Sequence, residues 1–210
     1  MKRFSTFAIS RTGIVTLLSL GLIVFSISFV SIQDKGKRFE SINSSFSLLS
    51  PAFTSAESVT SNAVNANAEF TFDDGELSDI SDFQFSVPLG MFKSSDVEAE
   101  QAVQKIFKTI DKEDLTFVQQ RVMILPTMKM IHLVGEISIA NIQKPISFQL
   151  AYLHENQVLK IKGKQTIRLN ELGINIPSEL RSIIKNEFDL QFDLRMVESG
   201  PKISTSNLLF

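Results

Sequence analysis

From Glu69 onward the apolar and polar positions alternate. Glu69-Phe-Thr-Phe72 sets the pattern, and Asp82–Val87 places Phe83, Phe85 and Val87 on one face. Pro145–Leu150 does the same with Ile146, Phe148 and Leu150, and Thr166–Leu169 follows with Ile167 and Leu169. The longest run is Glu187–Val197. There Phe188, Leu190, Phe192, Leu194 and Met196 face one way, and Glu187, Asp189, Gln191, Asp193 and Arg195 the other. A period of two is the signature of strands with one buried and one wet face. Turn signals separate the runs at Asp73-Asp74-Gly75, His154-Glu155-Asn156 and Gly200-Pro201. Several such strands predict an all-β fold, an antiparallel sandwich or barrel.

Two segments break the alternation. Ser95-Asp-Val-Glu98 has the spacing of a capping box, and Val103, Ile106, Phe107 and Ile110 follow at helical spacing. An amphipathic helix is predicted over Asp96–Ile110, packed on or across the sheet. A shorter helical turn is predicted over Ser178–Asn186, after Pro177, with Leu180, Ile183 and Ile184 on its apolar side. Ser41–Asn67 is rich in Ser, Thr, Asn and Ala. It reads as a linker or as the place where early strands start, the latter favoured by Phe46, Leu48, Leu49 and Phe53.

The first thirty residues have a different character. Lys2, Arg3 and Arg11 form a basic start, and Gly13–Val30 runs apolar apart from Thr16, Ser19, Ser26 and Ser28. This is the layout of a secretory signal. The apolar run is long for a signal and barely long enough to span a bilayer. Residues 1–30 are therefore read as a signal peptide or an uncleaved N-terminal membrane anchor, 31–38 as a polar connector, and 39–205 as the folded domain. Either reading exports the domain to the periplasm or cell envelope, attached to the inner membrane if the leader is retained.

Composition removes several function classes. The 210-residue chain has no cysteine, so disulfides, thiol catalysis and Cys-ligated metals are excluded. A net charge of −2, falling to −5 without the leader's three cations, argues against holding nucleic acid by its phosphates. His132 and His154 have no metal-like partner at helical or strand spacing, and the acidic loop Asp73, Asp74, Glu76, Asp79 lacks calcium-loop spacing. Gly135, Gly163 and Gly173 are isolated, so no phosphate loop is formed. There is no Gly-x-Ser-x-Gly elbow. A hydrolase would need a carboxylate pair in the barrel mouth, and no motif supports one. Neither an enzyme nor a metal or redox cofactor is expected.

The outward faces carry charge. Lys160, Lys162, Lys164 and Arg168 share one parity, as do Glu187, Asp189 and Asp193 on the last strand. If these strands pair, their exposed faces are complementary. The inward set is Phe70, Phe72, Phe83, Phe85, Phe148, Leu150, Ile167, Leu169, Phe188, Phe192 and Met196. By pattern alone these residues are either ordinary core or the lining of an apolar ligand site.

Three segments of the second half resemble the YceI-like family. Val134-Gly-Glu-Ile-Ser-Ile-Ala-Asn-Ile-Gln-Lys-Pro-Ile-Ser-Phe148 resembles its strand–turn–strand with Lys-Pro. Gly163–Ile174 resembles its strand ending in an apolar residue before Gly-Ile, and Glu187–Val197 its closing strand. The chain departs from the family at Asn141-Ile142-Gln143 in the turn, at Leu172 before Gly-Ile, and at Asp114-Leu-Thr-Phe117 in the first half. The resemblance implies an exported, extended, lipocalin-like antiparallel barrel enclosing an apolar tunnel for an isoprenoid chain. It implies a non-enzymatic protein whose partner is an apolar lipid, an isoprenoid or quinone-like molecule, carried or stored in the envelope. The inward set would then line the tunnel, and the N-terminus would supply any membrane association. The rival expectation is a ligand-free barrel with a solid core, acting as a scaffold or interaction module at the cell surface.

Overall fold

The computed structural model describes residues 36–51, 58–108, 113–139 and 142–200. The predicted leader, most of the connector, Phe53, Ile110 and Asn141 lie outside the described residues.

The strands are β1 (Lys37–Ser41), β2 (Ser45–Leu49), β3 (Val59–Ser61), β4 (Asn65–Asp73) and β5 (Glu76–Pro88), followed after the helix by β6 (Asp114–Leu125), β7 (Met130–Ile139), β8 (Ile142–Glu155), β9 (Val158–Arg168) and β10 (Glu187–Glu198). Lys37 and Arg38, assigned to the connector from sequence, are strand residues. All pairings are antiparallel, in the order β1-β4-β5-β6-β7-β8-β9-β10-β2-β3, and β1 also pairs with β10. β10 pairs with β9 from Glu187 to Val197. Its other edge is shared: Asp189–Asp193 pairs with β2, and Met196–Glu198 with β1. β1 and β2 are thus two halves of one strand, broken where Asn43 has a φ of 44°. The Ser44 hydroxyl accepts the Arg195 N–H at 3.0 Å across the break. β3 and β4 pair with β2 and β1 in turn, so ten segments close an eight-stranded barrel.

The alternation explains the closure. Every second residue of β7 is buried, and every second one of β10 up to Met196. A one-residue slip would put each apolar set in water.

The helix α1 spans Val97–Lys108, and its Ala99, Ala102, Val103 and Ile106 are buried on the barrel. Its N-cap is Asp96, one residue later than the capping-box spacing implied. The Asp96 carboxylate accepts the N–H groups of Glu98 at 3.1 Å and Ala99 at 3.0 Å. Glu98 and Glu100 in the first turn and Lys105 and Lys108 in the last suit the helix dipole. The predicted turn at Ser178 is a short 3-10 turn, Ser178–Leu180, with Leu180 and Ile184 buried.

Among the described residues the sheet opens in two places. The β5–β6 ladder ends at Gln84–Val118. Beyond it the Gln119 side chain takes over, accepting the Phe83 N–H at 3.1 Å and donating to the Ile80 carbonyl at 2.8 Å. At the opposite end of the barrel, β8 and β9 pair only from Leu150–Gly163 to Glu155–Val158. A 3-10 turn, Leu169–Leu172, occupies this second opening and ends at Gly173, whose φ is 69°. Leu169 therefore lies in this turn rather than on a strand, and it remains buried.

Candidate ligand site

The middle of the barrel is crossed by a closed circuit of five phenylalanines. Phe46 meets Phe192 with ring centroids 4.8 Å apart, and Phe192 meets Phe148 at 4.8 Å. Phe148 meets Phe117 at 5.2 Å, Phe117 meets Phe85 at 5.4 Å, and Phe85 returns to Phe46 at 5.9 Å. Phe85 also reaches Phe192 at 5.3 Å, bridging the circuit. Most contacts are edge-to-face or tilted, as the ring quadrupole favours, with Phe85 on Phe117 stacked.

Five strands supply these rings and the others supply room. Gly135 on β7 and Gly163 on β9 face inward, as do Ala66 and Ala68 on β4. A Cβ at Gly135 would overlap the Phe117 ring and the Val118 carbonyl, and one at Gly163 would overlap Leu150. Large and small residues thus interdigitate across the bore.

Toward α1 the bore opens into a cavity with no polar lining. Ile106 and Phe107 of α1 form one wall, with Ile167, Leu169, Phe188 and Leu190 opposite. Its free volume is about 20 Å³, the space of a single water. Phe107 is half-buried and also lines an outer cleft of about 520 Å³ with Met91, Gln104, Lys108 and Asp114. It thus lines both the cavity and the cleft. Its ring leans on Phe92 at 5.5 Å.

The opposite end carries the polar features. Phe72, half-buried, stacks on His154 at 4.5 Å and contacts Phe39 at 6.1 Å. The Tyr152 hydroxyl is buried and has no hydrogen-bond partner among the described residues. Burial pushes its pKa up. Lys129 lies 5.9 Å from the Tyr152 ring and pairs with Glu76, which holds its ammonium in the charged form.

The eleven inward residues therefore separate by depth. Ile167, Leu169 and Phe188 line the cavity at the α1 end. Phe85, Phe148 and Phe192 belong to the ring circuit, and Phe83 packs on it, 6.2 Å from Phe117. Phe70, Leu150 and Met196 are buried core, and Phe72 sits at the far end. Sequence pattern missed Phe46, Phe117 and the two glycines. It placed Ile106 and Phe107 on a helix without linking them to a ligand site.

On the outer surface the complementary charges meet. Lys162 pairs with Asp193 at 2.7 Å, Lys164 with Asp189 at 2.7 Å, and Arg168 with Glu187 at 3.1 Å. Among the described residues no group of three or more His, Asp or Glu side chains is arranged to hold a metal.

Comparison with known proteins agrees with this architecture. The chain is similar in structure to BcnA of Burkholderia cenocepacia, with a TM-score of 0.60 and 14% identity over 72% of this chain and 95% of that one. It is also similar to the YCEI protein of Campylobacter jejuni, with a TM-score of 0.52 and 11% identity over 64% of this chain and 81% of that one. At these identities the likeness shows the fold alone. No curated protein gives a significant sequence match. The YceI-like domain family matches residues 40–196, three-quarters of the chain and all but the ends of the barrel, and the protein belongs to that family.

Proposed function

We propose that this protein is a binding protein of the cell envelope that holds an apolar, isoprenoid-like molecule at the α1 end of its barrel. The observation that supports this most is the cavity itself: a wholly apolar space lined by α1, the Leu169–Leu172 turn and the surrounding strands, at an opening of the sheet. Such a site offers no hydrogen bonds, so affinity comes from buried area at about 25 cal/mol per Å², less the cost of association. The free volume is too small for a ligand as it stands. Phe107, the residue that lines both the outer cleft and the cavity, is the wall that moves to admit one. The leader's layout supports export, and the absence of a catalytic motif in the sequence supports carriage or storage over chemistry.

The five-ring circuit favours a second reading, a solid barrel that serves as an interaction module. Titration separates the two. Farnesol is added to protein purified without detergent, and heat of binding is recorded for the wild type and for Ile167→Phe, which fills the cavity from a half-buried wall position. The expected result is saturation at one molecule per chain, weakened at least about tenfold in Ile167→Phe, an energy near 1.4 kcal/mol. Met196→Leu, at the other end, binds as wild type. No binding by the wild type, or equal binding by Ile167→Phe, overturns the proposal.

A further inference from the structure

We infer that the phenylalanine circuit is a length stop, so that the ligand of this barrel is a short apolar chain and not a long polyprenoid. The inference rests on the cavity being the ligand site. A chain entering beside Phe107 descends past Phe188 and Leu190, and meets Phe192 next on the same face of β10. Phe188 and Phe192 are four residues apart, so at 3.3 Å per residue the floor lies about 13 Å along β10 from Phe188. At the floor, Phe192 touches Phe46, Phe85 and Phe148 together. Displacing one ring breaks contacts with three others, and the small residues that face the circuit are already in use. Gly135 lies under the Phe117 ring, and the inward space at Gly163 is taken by Leu150. A path to the far end therefore requires Phe192 to give up its contacts with Phe46, Phe85 and Phe148. A chain longer than the floor permits leaves its excess outside the cleft, where it buries nothing.

The test is a series of chains of increasing length: geraniol, farnesol, geranylgeraniol and a quinone with a long polyprenyl tail. Affinities are measured by calorimetry on detergent-free protein. Below the stop, each buried CH₂ adds about fourfold in affinity. The expected wild-type profile rises from geraniol and then goes flat. In Phe192→Ala the profile continues to rise for at least one further member. Phe148→Leu, a milder change, serves if Phe192→Ala does not fold, and it moves the plateau in the same direction. A wild-type affinity that climbs through the polyprenyl quinone overturns the length stop while leaving the ligand site standing. A plateau at the same member in wild type, Phe192→Ala and Phe148→Leu also overturns it. Failure of every chain to bind removes the ligand site itself.

Discussion

The ring of Phe117 lies directly over Gly135, in the space that a Cβ at that position would need. The same Cβ would press on the Val118 carbonyl, which is backbone held in the β6–β7 ladder and cannot swing away. Gly135→Ala should therefore destabilise the barrel by about 1–3 kcal/mol, the usual cost of overpacking. Urea unfolding measures this. In the double variant Gly135→Ala, Phe117→Leu, the loss should be smaller than the sum of the singles, because the smaller side chain relieves the clash.

Gln119 replaces a missing stretch of β-ladder. Its amide serves one backbone donor, Phe83 N–H, and one acceptor, the Ile80 carbonyl. Gln119→Leu leaves both unpaired in part-buried surroundings and should cost about 1–3 kcal/mol. Gln119→Glu keeps the acceptor for Phe83 and loses the donor to Ile80, so it should fall between Leu and wild type at neutral pH. Equal stability of Gln119→Leu and wild type would show that water serves these groups equally well.

Acid should weaken the β9–β10 seam through Asp189. Hydrogen bonds from Lys164 and from the Thr166 hydroxyl, the latter at 2.6 Å, hold its carboxyl below the ordinary range. A depressed folded-state pKa contributes stability above the unfolded value, about 3.9 for Asp. That contribution is lost as pH falls through the lower, folded value. Asp189→Asn should lower stability at neutral pH and flatten the decline on the acid side. A variant whose stability falls in acid as steeply as wild type would assign the decline to other carboxylates.

The Tyr152 hydroxyl is buried with no partner among the described residues. Burying a hydroxyl unpaired is costly, and removing it should be favourable. Tyr152→Phe should raise stability by about 1 kcal/mol, read from the unfolding midpoint at unchanged slope. A loss of stability would show that the hydroxyl is satisfied in solution.

The sequence pattern reached the fold where local and global signals agree. In Glu187–Val197, each buried residue is separated from the next by a polar one, and the opposing charges on β9 find their partners at the expected parity. The helix was legible from its apolar face, although its cap is Asp96 and not Ser95, because any short polar side chain just before the first turn gives the same signal. β6 was less readable. A bulge between Gln119 and Arg121 changes the parity, so that Val118 points to solvent while Val122 packs on the core. The site was legible only in part. Phe148 and Phe192 declare themselves by alternation, but Gly135 and Gly163 carry no local mark. Their role is fixed by rings on other strands. The division of the inward set into cavity, circuit and far end depends on strand register, which a run of alternating residues does not contain.

The most direct test of a ligand site beneath α1 is mass spectrometry of organic extracts from the protein, purified from its native host without detergent. One apolar chain per protein is expected, of the length of a short isoprenoid, lost in Ile167→Phe and retained in Met196→Leu. Extracts that stay empty, even after the protein is incubated with isoprenols and quinones, would contradict it and leave the barrel a solid scaffold.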